Sequence, residues 1–286
     1  MKMNKKIMLV VLALSIALNE VLAINFISVE EAAKKGWIKL VVKSKGGFTG
    51  EVIEMKIKNL CHQLLNLKLE AGRRLDSKNN GEQDILVTKH EEIALNTDAS
   101  KTLKVFGMCC QAHNGSPTKE ADYSIGTMSD SSLIRLAEFI DKNKYYDSYT
   151  AQGAVWAVSD NESIGGIAGE DKEEVTKLRN YVSALTHRPI PKYDVNYGRG
   201  NNERAMGRAT TVEGTFDFTL ASNAHVSVGI YDSTGTLVQV IFKDHAHQKG
   251  IYRLHFVFRT SRLEQGTYYA RLNKEGRTEK EMRIEF

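Results

Sequence analysis

Five short β-patterned runs crowd the last seventy or so residues, and they constrain the fold more than any other part of the chain. They are residues 226–231 (VSVGIY), 237–242 (LVQVIF), 251–258 (IYRLHFVF), 267–272 (TYYARL) and 281–286 (EMRIEF), with Asp232-Ser233-Thr234-Gly235 joining the first two. Runs this short, rich in β-branched and aromatic residues and bounded by turn residues, bury one face of a strand and cannot make a helix. They predict a small all-β module.

The front of the chain continues in the same way. Residues 38–43, 52–58, 65–70, 85–88, 92–95 and 103–108 alternate or run apolar, with Gly46-Gly47 and Ala71-Gly72 among the turns. That spacing is the one expected of a β-sandwich. Three helices follow. Residues 130–142 place Leu133, Leu136, Ala137 and Ile140 at a 3.6-residue period, with Asp130 or Ser131 as N-cap. Residues 151–158 form a shorter stretch, and residues 171–185 align Val175, Leu178, Tyr181, Val182 and Leu185 before Pro189 and Pro191 end the helix. Apolar content then collapses. The expected fold class is mostly β with some α: a β-sandwich with a helical subdomain over 24–191 as binding module, a linker over 192–210, and an immunoglobulin-like sandwich over 211–286.

Residues 1–23 read as a secretory signal, with Lys2, Lys5 and Lys6 ahead of an apolar run over 7–18 and the small-residue site Val21-Leu22-Ala23. The apolar run is too short to span a bilayer, and no later stretch qualifies, so no integral membrane segment is expected in the mature chain. Removing the signal's three lysines and Glu20 lowers the formal net charge from +4 to +2. A near-neutral surface lacks the electrostatic footprint of a nucleic-acid binder. Three cysteines, Cys61, Cys109 and Cys110, enter an oxidising compartment. At most two can pair with each other, leaving one as a free thiol, an intermolecular disulfide or a partner in some other covalent bond.

The tail carries Gly229-Ile230-Tyr231-Asp232 with Gly235 and Val238, then Gly250-Ile251-Tyr252, then Leu263-Glu264-Gln265-Gly266-Thr267-Tyr268-Tyr269 and a last strand after Lys280. In these elements residues 211–286 resemble the C-terminal sorting domains of the type IX secretion system of Bacteroidetes and the immunoglobulin-like domains of flagellar hook scaffolds. The resemblance implies a secretion machinery as partner of residues 211–286, and a secreted protein at the exterior or outer-membrane surface of a Gram-negative bacterium. An outer strand and an exposed terminus would be the handle for that machinery.

One constellation carries chemistry. Met108-Cys109-Cys110-Gln111 precedes Pro117, Tyr123, the first helix and then Thr150-Ala151-Gln152-Gly153-Ala154-Val155-Trp156. This order resembles the thioester domains of bacterial surface adhesins, in which a strand-ending cysteine is joined to the glutamine of a TQxA-like motif. Ala151 stands where threonine is usual, and two cysteines stand where one is usual. The resemblance implies that Cys110, or Cys109, attacks the carboxamide of Gln152 and expels ammonia, storing an electrophile that a nucleophile on a target later captures. A thiolate is the strongest side-chain nucleophile available, but it must be held close to the amide. Such a bond leaves Cys61 and Cys109 as a candidate disulfide. In the alternative reading Gln152 caps a helix whose apolar residues simply pack on the sandwich.

Other candidate sites are weaker. His245 and His247 share a strand face but lack a third zinc ligand, and Cys61-His62 with Cys110 and His113 lie far apart in sequence. Asp160, Glu162, Glu170, Asp171, Glu173 and Glu174 suit a helix N-terminus as well as they suit hydrolysis. No nucleophile elbow, HExxH or P-loop is present. The expected function is a secreted non-enzymatic binding protein with an unknown surface protein or glycan as ligand and no cofactor or metal. The alternatives are a covalent thioester adhesin and a secreted hydrolase.

Overall fold

The computed structural model describes residues 25–200 and 206–286. The secretory signal read in residues 1–23 lies outside the described residues. The fold is mostly β with some α. Among the described residues no helix is long and apolar enough to cross a membrane.

The front of the chain forms a closed barrel rather than the expected sandwich. Strands β2 (Ile38–Ser44), β3 (Thr49–Asn59), β5 (Arg73–Ser77), β6 (Ile85–Val87), β8 (Ser100–Cys109) and β9 (Asp122–Met128) join in the order β2-β3-β8-β6-β5-β9. Closure depends on β9, which pairs with β2 at Val42↔Tyr123 and with β5 at Leu75↔Ile125. Both β5 (RRLDS) and β9 (DYSIGTM) are polar and show almost no apolar run. Hence the ring is invisible to periodicity. Strands β1 (Ile27–Ser28), β4 (Leu65–Leu69) and β7 (Glu91–Leu95) form a smaller sheet, and the short helix α1 (Val29–Lys34) buries Val29 and Ala32 in the same core.

Three longer helices pack against the barrel. Helix α2 (Ser131–Asn143) starts at Asp130, whose carboxylate accepts the N–H groups of Ser132 and Leu133. Helix α3 (Tyr149–Ser159) starts at Ser148, and α4 (Lys172–Thr186) at Asp171, with Glu173 and Glu174 in the first turn where the helix dipole favours them. Their buried faces enclose a second core with Leu86, Met108 and Cys110 of the barrel.

The remaining strands build a two-sheet sandwich. Strands β10 (Tyr193–Arg199), β11 (Met206–Leu220) and β14 (Gly250–Arg259) make one sheet; β12 (Ala224–Asp232), β13 (Leu237–His247), β15 (Thr267–Lys274) and β16 (Arg277–Glu285) make the other, in the order β13-β12-β15-β16. Phe216, Phe218, Val228, Ile230, Phe256 and Phe258 fill the space between them. The turn at 232–235 forms as the sequence predicts, with Gly235 at φ +85°.

Two expectations need correction. The linker expected over 192–210 is not one in its described residues, 192–200 and 206–210: β10 pairs with β11 at Tyr193↔Gly214 and Val195↔Val212, and both Tyr193 and Val195 are buried. Only Tyr193, Val195 and Tyr197 alternate with period two, too short a run among polar residues and glycines to stand out from a loop. Strand β10 also docks on the helical side. Arg179 bonds Asp194 at 2.6 Å and the carbonyls of Gly165 and Ile167, and a Cβ on Gly166 would stand 2.5 Å from the Tyr197 ring. Nor is the side chain of Phe286 free. It is buried, stacks on Tyr268 at 5.0 Å, and its N–H bonds the Gly266 carbonyl. A cleft of about 870 Å³ runs between the helical side and the sandwich, with Arg188, Tyr193, Phe216, Arg283 and Phe286 in its walls.

Candidate functional site

Strand β8 is flanked by β3 and β6, but β3 begins at Thr49, opposite Met108, so its pairing stops one residue short of Cys109. On the β6 side Cys109 pairs with Ile85. On the other side its N–H reaches the Phe48 carbonyl at 3.0 Å, and Gln152 of α3 completes the edge. The N–H of Cys109 donates to Gln152 Oε1 at 3.0 Å, while Gln152 Nε2 donates to the Cys109 carbonyl at 2.8 Å. Together the two bonds fix which way the amide points. Gln152 is 1% exposed, and its helix approaches this closely because Ala151, Gly153 and Ala154 surround it. The structure thus brings Gln152 to the cysteine pair, and Gln152 is not a helix cap: Ser148 holds that role.

The two cysteines face different cores. Cys109 packs with the barrel interior, while Cys110 packs with Ala151, Ala154 and Val155 of α3. Cys110 donates its N–H to the Asp84 carbonyl at 3.1 Å, and its Sγ lies 3.3 Å from the same oxygen. Burial, with the Asp84 charge second, pushes the Cys110 thiol up to about 12. Burial likewise raises the Cys109 thiol, and it raises the Asp84 carboxyl. Both thiols are therefore protonated at neutral pH.

A polar lattice surrounds the pair. Gln83 is buried; its Oε1 accepts from Gln111 N–H at 3.1 Å and Trp156 Nε1 at 3.4 Å, and its carbonyl accepts from Tyr123 Oη at 2.8 Å. The Asp84 N–H donates to Gln111 Oε1 at 2.9 Å, and Gln111 Nε2 donates to Asp84 Oδ2 at 3.1 Å. The Phe48 ring stacks on Trp156 and meets the exposed Tyr149 edge-on. Sequence reasoning missed Gln83, Asp84 and Phe48 as contributors, and it quoted Gln111 beside the cysteines without giving it a role. They sit in turns flanking β3, β6 and β8, where no periodicity marks a side chain as inward.

The candidate Cys61–Cys109 disulfide does not form; Cys61, Cys109 and Cys110 are all free. With Lys58 opposite Ser100 and Thr49 opposite Met108, Cys61 lies beyond one end of the β3–β8 pair and Cys109 at the other. At about 3.3 Å per residue that is roughly 30 Å, far past the reach of a disulfide. The Cys61 thiol turns to the Trp37 carbonyl at 3.7 Å.

The acidic residues scatter. Asp171 caps α4, Glu173 pairs with Lys177 at 2.7 Å, Glu174 bonds the Ser148 hydroxyl, and Glu162 lies 3.3 Å from His113 on the cleft wall. His245 stacks on Phe242 and His247 meets Tyr252 edge-on. Among the described residues no three His, Cys, Asp or Glu side chains gather in a way that could hold a metal ion.

No family model matches the chain, and no curated protein does. Among solved structures, the crystal structure of red sea bream transglutaminase is similar at 9% identity and a TM-score of 0.19, over 89% of this chain and 32% of that one. The chain therefore spans about a third of that protein. So slight a likeness carries neither fold nor activity over.

Proposed function

We propose that this chain is a secreted, non-enzymatic binding protein that captures its partner covalently, through an internal thioester between the Cys109-Cys110 pair and Gln152. The observation that carries this reading is the buried carboxamide of Gln152, clamped at 3.0 and 2.8 Å against the main chain of Cys109, next to Cys110. A glutamine that only filled space would be an expensive choice here, since a buried polar group must be bonded at both ends. The chemistry balances without a cofactor. The thiol sulfur adds to the Gln152 carbonyl carbon, the C–N bond breaks, and the amide nitrogen leaves as ammonia with the thiol proton. On contact, an amine of the partner adds to the same carbon, the C–S bond breaks, and an amide forms as the thiol returns. Burial keeps water from the stored bond until then.

The partner is a surface protein or glycan, the former through a lysine amine. Residues 211–286 serve export through a secretion machinery, with β13 and β16 as the outer strands of their sheet available for strand addition. In this reading the protein acts at the outer surface of a Gram-negative bacterium. Intact mass of the purified native protein tests the covalent reading: one ammonia less than the mature sequence requires is expected. A mass equal to the unmodified chain ends it.

A further inference from the structure

Resting on the thioester reading, the geometry points to a division of labour between the adjacent cysteines: Cys110 supplies the attacking sulfur, and the main chain of Cys109 is the oxyanion-stabilising clamp for Gln152. Three observations carry it. First, the Cys109 N–H stands 3.0 Å from Gln152 Oε1, the atom on which negative charge develops when a sulfur adds to the carbonyl carbon. This donor, which the Phe48 carbonyl shares at 3.0 Å, is thus already bonded to the atom that becomes the oxyanion. Second, the Cys109 carbonyl holds Gln152 Nε2 at 2.8 Å, so the leaving nitrogen and the polarised oxygen are both oriented before reaction. Third, successive side chains of an extended segment point to opposite faces. The Cys109 side chain enters the barrel core, to which α3 lends Trp156, and the Cys110 side chain enters the cluster that holds Ala151, Ala154, Val155 and Ala157, the residues of α3 on either side of Gln152.

The unreacted state is latched. The Cys110 S–H is donated to the Asp84 carbonyl at 3.3 Å, and burial keeps the thiol protonated. Closure requires the sulfur to leave that acceptor. Its proton then departs with the Gln152 nitrogen as ammonia, so no oxidant or external reagent enters. The clamp persists in the product, where the Cys109 N–H continues to polarise the thioester carbonyl toward an incoming amine.

Intact mass and a denaturing maleimide count on full-length variants test this. Wild type is expected to lack one ammonia and to show two reactive thiols of its three cysteines. Cys109→Ala removes only a side chain and is expected still to lack one ammonia, with one reactive thiol left. Cys110→Ala and Gln152→Glu are expected to retain full mass. Thermal melts of each variant, compared with Cys109→Val as a volume-conserving partner, separate loss of the bond from loss of the fold. Wild type and Cys110→Ala lacking ammonia while a folded Cys109→Ala or Cys109→Val retains it overturns the assignment alone. Full mass in wild type overturns the covalent reading and the assignment with it.

Discussion

Arg73 shows how much a single residue can hold at this fold's centre. Its side chain is 3% exposed, and its guanidinium bonds Glu70 at 2.8 Å, the Gly126 carbonyl at 2.9 Å, and Glu30 of α1. One cation therefore ties α1, β5 and β9 together. Removing it leaves the Glu70 carboxylate and the Gly126 carbonyl without this cation and leaves Glu30 with Lys34 alone, so Arg73→Ala is expected to cost about 3–5 kcal/mol in a denaturant melt. The bond from Lys34, opposed by burial and reinforced by Arg73, lowers the Glu30 carboxyl below its ordinary 4.5. A depressed folded value means stability present above the unfolded value and lost as pH falls through the folded one. Wild type is thus expected to lose stability more steeply than Arg73→Met as the pH is lowered below about 5. At this scale the sequence pointed to Cys110, Gln152 and Trp156 through their order. It was silent on Gln83, Asp84 and Arg73, because a polar residue's burial depends on partners distant in the chain.

Elements with strong apolar patterning were legible, and polar ones were not. Strands β3, β8, β12 and β14 and helices α2 and α4 stand close to where their periodicities put them. Strands β5, β9 and β10 and the short α1 escaped, since each buries only one or two side chains and draws its stability from pairing; β11 escaped as well, although it buries Val212, Phe216, Phe218 and Leu220, because Glu213, Gly214, Asp217 and threonines interleave them. Strand β8 depends on a feature no pattern reveals. Gly107 faces β6 so closely that an added Cβ would stand 2.3 Å from Ile85 Cγ2 and 3.1 Å from the Leu86 carbonyl. Gly107→Ala is expected to destabilise by roughly 1–3 kcal/mol through overpacking. Because Cys109 lies two residues on, it is also expected to reduce the fraction of chains lacking ammonia in the intact mass.

For the whole molecule, the first sandwich strand also docks on the helical side, so the sandwich does not hang from a free tether. The Arg179–Asp194 pair and the Tyr197 ring over Gly166 bind it there, while Met206, at the start of β11, is buried in the barrel's core cluster. This decides where a truncation that tests export has to cut. A chain ending at Pro191 keeps every barrel strand and helix but loses Met206 from the barrel's core cluster and Asp194 and Tyr197 from the helical side, so it is expected to melt earlier than the full chain and to fail to reach the cell surface. One ending at Thr210 retains β10 without β14 and with only a stub of β11, leaving Tyr193 and Val195 uncovered, and is expected to aggregate. Thermal melts, size-exclusion chromatography and surface fractionation read these outcomes. What the sequence determined alone was local: strand and helix periodicity, capping residues, the turn at 232–235 and the presence of a cysteine pair and a glutamine in a suggestive order. Only the tertiary structure decided that the front sheet closes into a barrel, that Cys61 is out of reach, and that Gln152 meets the Cys109 main chain. Those outcomes depend on strand register and on a helix approach permitted by small residues, and both are properties of pairs of segments rather than of any one.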